Sequence, residues 1–372
     1  MFMLGGFKIG RLAGIPFYVN PSWFLIFGFF TFTLATSQLP ALAPNAAAWV
    51  YWPLAVVVGL TFFASLLAHE MGHSLVSKAF GIPVRSITLH LFGGVAQLGR
   101  EVSRAREELW IALAGPAVSL VLGAIFFGAS ILLRDGPQLL TASLQLLALL
   151  NAGVLVFNLV PGFPLDGGRV LRAAIWGVTG NYRGATYAAS MAGRLAGMLM
   201  IMGGVYLTLI TSDYGNLWMA LIGWFLISIA GQSYKQAVIQ DKLQKTLVSE
   251  AMVRPITVPA SLTVDELMAG YVRTTNWPYY YLESQDETVG IVSRRRLEWV
   301  PEHLRAITTL AGIMVPIESL PKISSSDPAV SALYKMEETK TDMLRAVEGE
   351  LVVGVVPKDA LFGLISRAAA AR

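Results

Sequence analysis

Two histidines and a glutamate set the chemistry open to this chain. The run LLAHEMGHSLV, residues 66–76, carries His69, Glu70 and His73 as an H-E-x-x-H pentapeptide. On a helix, positions i and i+4 share a face, so both imidazoles can reach one metal ion while Glu70 stands beside them to take a proton. The chain has 4 histidines, and two of them fall here, after 57 residues without a formal charge. Ionisable groups at membrane depth cost several kcal/mol and are functional by default. The blander alternative is a helix end at which the three side chains satisfy one another or reach up to the membrane surface.

A second acid answers this cluster. Asp166 lies in NLVPGFPLDGGRVLRAA, residues 158–174, just after a long apolar stretch. A catalytic zinc usually takes three protein ligands and a water, and a carboxylate suits the third place. Pro161, Gly162 and Pro164 interrupt the apolar run, and irregular backbone at depth is tolerated only where it lines protein or a cavity. A helix ending at 158–161, with Asp166 turned back toward the bundle, meets both conditions. Asp166 also suits the N-cap of the helix that follows, and the two roles can coexist. Glu107 and Glu108 are rival third ligands. They sit in a basic loop that reads as solvated, and are better explained as the N-terminal charges of the third helix.

The elements that must hold these residues are apolar helices. Of the 372 residues 55% are hydrophobic and 14% charged, against about 25% charged in ordinary globular domains. The deficit is local: 19 of residues 1–234 are charged, against 33 of the remaining 138. A membrane span needs roughly 20 apolar residues, and six are expected, at 22–39, 52–78, 109–133, 139–160, 188–210 and 217–233. One side of these spans carries Lys8, Arg11, Lys78, Arg85, Arg100, Arg104, Arg106, Arg169, Arg172, Arg183 and Arg194, and the other only Arg134. That bias predicts a multi-pass protein of the cell (inner) membrane with both termini cytoplasmic. The net charge of +4 belongs to membrane loops, because the tail holds 16 basic and 17 acidic residues, so no nucleic-acid partner is expected. With no cysteine there is no disulfide and no thiolate ligand. The start does not read as a cleaved signal peptide.

The tail repeats itself. Residues 246–300 and 308–365 each read as a short helix, a Pro-bearing strand, a helix and two strands around a glycine, which is a paired module rather than a solenoid. The expected organisation is 1–234 as the six-span domain, 235–245 as a linker, and 246–306 and 307–372 as two modules. The expected fold class is a membrane all-α bundle of six helices with a short β-hairpin insertion, followed by a soluble α+β tandem.

HEMGH in a span, AGPAVSL at 114–120, NLVPGFPLDGGR at 158–169 and the opening IGRLAGIPFYVNPSWFL at 9–25 together resemble the site-2 protease family of intramembrane zinc metalloproteases. The tail repeats look like a pair of cystathionine-β-synthase (CBS) domains, found in one branch of that family. The resemblance covers nearly the whole chain. It implies one Zn2+ per chain on His69, His73 and Asp166, Glu70 as general base, and Asn158 near the centre. Asn20 departs from the pattern, since relatives often have His there, but that position is not a ligand.

The implied activity is hydrolysis of peptide bonds within or near transmembrane segments of other proteins, as in regulated intramembrane proteolysis of an anti-sigma factor. A substrate helix hides its scissile carbonyls. RSITLHLFGGVAQL, residues 85–98, reads as a hairpin around Gly93 and Gly94 whose edge could pair with an unwound segment, or which serves structure alone. His90 and His303 lack metal partners at suitable spacing and read as structural. CBS pairs often bind adenine nucleotides through an Asp six residues after the strand glycine. Here Arg296 follows Gly290 and Ala360 follows Gly354, with Asp359 one place early. That leaves an altered nucleotide site or a structural tail that pairs two chains; Arg294, Arg295 and Arg296 could contact phosphates, but a solvated basic turn is the plainer reading of them. The competing functional readings are a metal-binding transporter or channel with a regulatory CBS tail, and an inactive relative that binds helices without cutting. Intact His69, Glu70, His73 and Asp166 speak against the latter.

Overall fold

A backbone that crosses lipid must satisfy its own hydrogen bonds, so the uncharged runs fold as helices. The computed structural model describes residues 6–363 apart from 45, 91–92, 101, 273–276 and 286. Residues 91–92 of the expected hairpin and 364–372 of the second module therefore lie outside the described residues. Two units form, 1–237 and 238–372.

In the first unit the helices are Ser22–Leu42 (α1), Ala48–Ala79 (α2), Ala105–Leu132 (α3), Gln138–Asn158 (α4), Asp166–Thr179 (α5), Tyr182–Thr211 (α6) and Leu217–Lys245 (α7). Among the described residues six are long and apolar enough to cross a membrane, all but the short, amphipathic α5. The 32 residues of α2 span about 48 Å at 1.5 Å per residue, so His69 lies in its last third. Gly81, with φ +70°, ends this helix in the left-handed conformation that closes many helices. The α4 helix stops at Asn158, ahead of Pro161. The segment expected as a linker, 235–245, continues α7 as helix.

The expected hairpin is half of a larger sheet. Strands Phe7–Leu12 (β1), Ile15–Val19 (β2), Val84–His90 (β3) and Gly93–Leu98 (β4) pair in the order β1-β2-β3-β4, with β2 and β3 parallel. The all-α description of this unit is thus corrected: an N-terminal hairpin, turning at Ala13 and Gly14, joins the inserted one. The reason is burial. Ile15, Phe17 and Ile87 pack with Met71, the residue between Glu70 and Gly72, so the sheet lies on the helix that carries the pentapeptide.

The tail holds two sheets. One has Ile256–Pro259 (β5), Tyr279–Ser284 (β6), Glu287–Ser293 (β7) and Val315–Pro316 (β8), and the other has Lys322–Ser324 (β9), Met343–Glu348 (β10) and Leu351–Pro357 (β11). Each half keeps the repeat, with a parallel pair (β5 with β6, β9 with β10) and an antiparallel hairpin. The halves also exchange their openings. Val248 and Ala251 are buried among Ile323, Leu344 and Val356 of the second half, while Leu310 is buried among Val258, Tyr280 and Leu282 of the first. A boundary at 306/307 therefore cuts through both cores. The strand glycines make the exchange fit, since a Cβ on Gly290 would press on Met314 and one on Gly354 on Met252.

Candidate active site

The pentapeptide is helical, so His69 and His73 emerge one turn apart on one face of α2. Asp166, the first residue of α5, meets them from 97 and 93 residues away. Asp166 Oδ2 lies 3.1 Å from each Nε2, and the two Nε2 atoms lie 3.1 Å apart. All three residues are buried, and among the described residues they form the one cluster of three His, Asp or Glu side chains able to hold a metal ion.

Hydrogen bonding decides what this triangle wants. His73 Nδ1 donates to the Ile111 carbonyl at 2.6 Å, which leaves a neutral His73 with only a lone pair at Nε2. His69 Nδ1 meets the Ser119 hydroxyl at 2.9 Å, the outer partner that commonly fixes a ligand tautomer. With His69 likewise protonated at Nδ1, donating to Ser119, two lone pairs and a carboxylate oxygen face one point and repel unless a cation lies among them. Tetrahedral zinc at about 2.0–2.1 Å holds its ligand atoms about 3.3 Å apart, close to the 3.1 Å edges seen here. The donor set and its spacing fit zinc.

Space comes from α3. A Cβ on Gly115 would overlap both Nε2 atoms, so only glycine leaves the histidines their room. The loop before Asp166 is packed just as closely, since a Cβ on Gly162 would overlap Gly193 of α6 and one on Gly168 would overlap Gly162. Asp166 is not the N-cap. Leu165 holds that place, no side chain caps the helix, and the Asp166 carboxylate is given to the histidines.

Glu70 is half-buried beside His69, and β4 lies against it. A Cβ on Gly94 would come within 2.5 Å of Glu70 Cγ, so the hairpin backbone runs directly past the acid. Gly93 has φ +118° and open space around its Cα. Asn158 donates to Val154 O within its own helix and makes no hydrogen bond to the triangle. His90 pairs with Gly93 across the hairpin, and His303 is exposed in the tail. Neither belongs to the metal cluster.

One expectation is overturned. Glu108 is not solvated: it is 1% exposed, and its Oε1 accepts from Arg172 Nε at 2.9 Å and from Arg172 Nη2. It does stand in the first turn of its helix, with Glu107. The residues missed in the sequence are Ile111, Gly115 and Ser119, two of them inside AGPAVSL. Their signal was a spacing, because Glu108, Ile111, Gly115 and Ser119 recur at +3, +4 and +4 and form one stripe of α3.

The chain matches peptidase family M50 over residues 57–135 and 135–203. It is 36% identical over 377 residues to a protein of Synechocystis named as a zinc metalloprotease, covering 99% of this chain and 98% of that one. It is similar to the solved site-2 protease from Methanocaldococcus jannaschii, with 27% identity and TM-score 0.44 over 62% of this chain and 95% of that one. It is also similar to the CBS domain of a bacterial CNNM/CorC family Mg2+ transporter, with 22% identity and TM-score 0.30 over 36% of this chain and 83% of that one.

Proposed function

The chain belongs to the site-2 protease family of intramembrane zinc metalloproteases, peptidase family M50, and from that premise we propose that His69, His73 and Asp166 hold its zinc and that Glu70 is its general base. The observation that carries the assignment is the convergence of the three ligand atoms inside an apolar helical bundle. Zinc bound there supplies a Lewis acid that lowers the pKa of water to about 7 and polarises the substrate carbonyl. The Glu70 carboxylate takes a proton from the attacking water as its oxygen bonds to the carbonyl carbon. Glu70 then delivers that proton to the leaving amide nitrogen as the C–N bond breaks. Ser119 and the Ile111 carbonyl keep both imidazoles aimed through their Nδ1 atoms.

The substrate is a transmembrane segment of another protein in the lipid bilayer, cut in regulated intramembrane proteolysis such as release of an anti-sigma factor. Gly94 beside Glu70 supports strand pairing along β4 as the way an unwound segment is presented, with Gly93 at the strand's start. The charge bias supports cytoplasmic termini and an inner-membrane location. The internal repeat, with its exchanged openings, supports a CBS pair in the tail that takes an adenine nucleotide or pairs two chains. Full-length similarity to a zinc metalloprotease leaves the transporter reading without support.

The test is metal content by mass spectrometry on detergent-purified wild type, His69→Ala and Asp166→Ala, together with cleavage of a membrane substrate by Glu70→Gln. About one zinc per chain, lost in both alanine variants, and zinc kept without cleavage in Glu70→Gln are the expected results. Zinc retained by Asp166→Ala overturns the third ligand, and undiminished cleavage by Glu70→Gln overturns the base.

A further inference from the structure

All three metal-facing side chains are referred to one helix. The α3 stripe touches His69 through Ser119 and His73 through the Ile111 carbonyl. Its lowest member, Glu108, reaches neither. Glu108 instead engages α5, the helix that begins with Asp166, through Arg172.

We propose that Glu108 and Arg172 are positioning residues for Asp166, a buried clamp that fixes α5 against the helix already holding both histidines. Arg172 has the contacts such a clamp needs. Its Nε and Nη2 donate to Glu108 Oε1, and its Nη1 donates to the Tyr182 hydroxyl at 2.9 Å in the first turn of α6. Its guanidinium also lies 4.8 Å from the centre of the Phe163 ring and 4.9 Å from that of Tyr182. Phe163 belongs to the loop that leads into Asp166, and its N–H donates to Ala189 O of α6 at 3.0 Å. One side chain thus joins α3, α5, α6 and the loop. Arg169 adds charge, with its Nε 4.0 Å from the same Glu108 oxygen.

The helix geometry gives the lever. Asp166 and Arg172 are six residues apart, which places Arg172 about 9 Å along α5 and about 120° around it from Asp166. Holding Arg172 from the side therefore sets the rotation of α5, and that rotation decides where the Asp166 carboxylate points. Stability alone is a poor reason for the pair, because burying two charges costs about as much as their attraction returns, and well-packed apolar residues often do as well. A requirement for orientation explains why charge is kept there.

This inference rests on the zinc reading above and is tested through zinc itself. Zinc affinity is measured by chelator competition on the full-length chain in detergent, for wild type, the Glu108→Leu/Arg172→Leu double variant and Arg172→Lys. Thermal melting of each protein after metal removal controls for folding. The expected result is 10- to 100-fold weaker zinc binding, the usual size of an outer-shell effect, with the metal-free melting temperature unchanged or raised in the double variant. An affinity within threefold of wild type overturns the proposal, as does a loss that merely follows a lowered melting temperature. Should the double variant not accumulate, Arg172→Lys decides by the same thresholds, since it keeps the charge but not the fork. A wild type that takes up no zinc fails the underlying ligand assignment and this inference with it, whereas a zinc-bound wild type with unaffected variants fails this inference alone.

Discussion

Single atoms decide the chemistry. Both histidines spend Nδ1 on protein partners, Ser119 and the Ile111 carbonyl, and that choice turns both Nε2 atoms toward Asp166. Glu70→Gln is expected to retain zinc while cleavage falls about 10²- to 10⁴-fold, the usual contribution of a positioned base, as read by product formation at equal zinc loading. Gly115→Ala removes no polar atom, yet its methyl would enter the space between the imidazoles. It is expected to purify with much less than one zinc per chain, and full zinc content in that variant would contradict the packing argument.

Elements set how the atoms meet. The sheet formed by β1 to β4 packs on Met71 and Leu67 of α2 and thereby lays β4 across Glu70. Gly94→Val is therefore expected to lower cleavage at least tenfold with zinc content unchanged. Its side chain would displace Glu70, or the strand that presents substrate, without reaching the ligands. In the tail each exchanged opening is buried in the other half's core. Leu310 is fully buried in the core of the half that precedes it, so Leu310→Ala should cost about 2–5 kcal/mol. Limited proteolysis of the full-length chain would read that loss as earlier cutting within 246–363, and an unchanged digestion pattern would argue against the exchange.

At the scale of the whole molecule, charge distribution governs topology. Asp135 and Glu350 have side chains 94% and 92% exposed, and the chain has no cysteine of its own. Asp135→Cys and Glu350→Cys variants therefore give clean reporters. A membrane-impermeant maleimide added to intact cells is expected to label position 135 and to reach position 350 only after permeabilisation. The reverse pattern would invert the orientation drawn from eleven basic residues on one side and Arg134 on the other.

Local regularities carried much of this into the sequence. The i, i+4 spacing of His69 and His73 follows from helix geometry within one turn, and the apolar runs follow from what a bilayer demands of a backbone. The tail's repeat is visible because each half must close the same small set of strands. Tertiary structure alone decided the rest, since each remaining feature joins residues far apart with no period to announce it. Asp166 is the exception that the sequence singled out, as the acid after an interrupted apolar run, although only packing carries it across more than 90 residues to the histidines. The N-terminal hairpin pairs β2 with β3 some 70 residues on. Glu108 looked like a charge in a basic loop until α5 brought Arg172 over it. The tail halves trade openings because a repeat reveals likeness but not which copy's core a segment enters. Periodicity within a turn or a strand is written along the chain, whereas the meeting of distant surfaces is a property of packing.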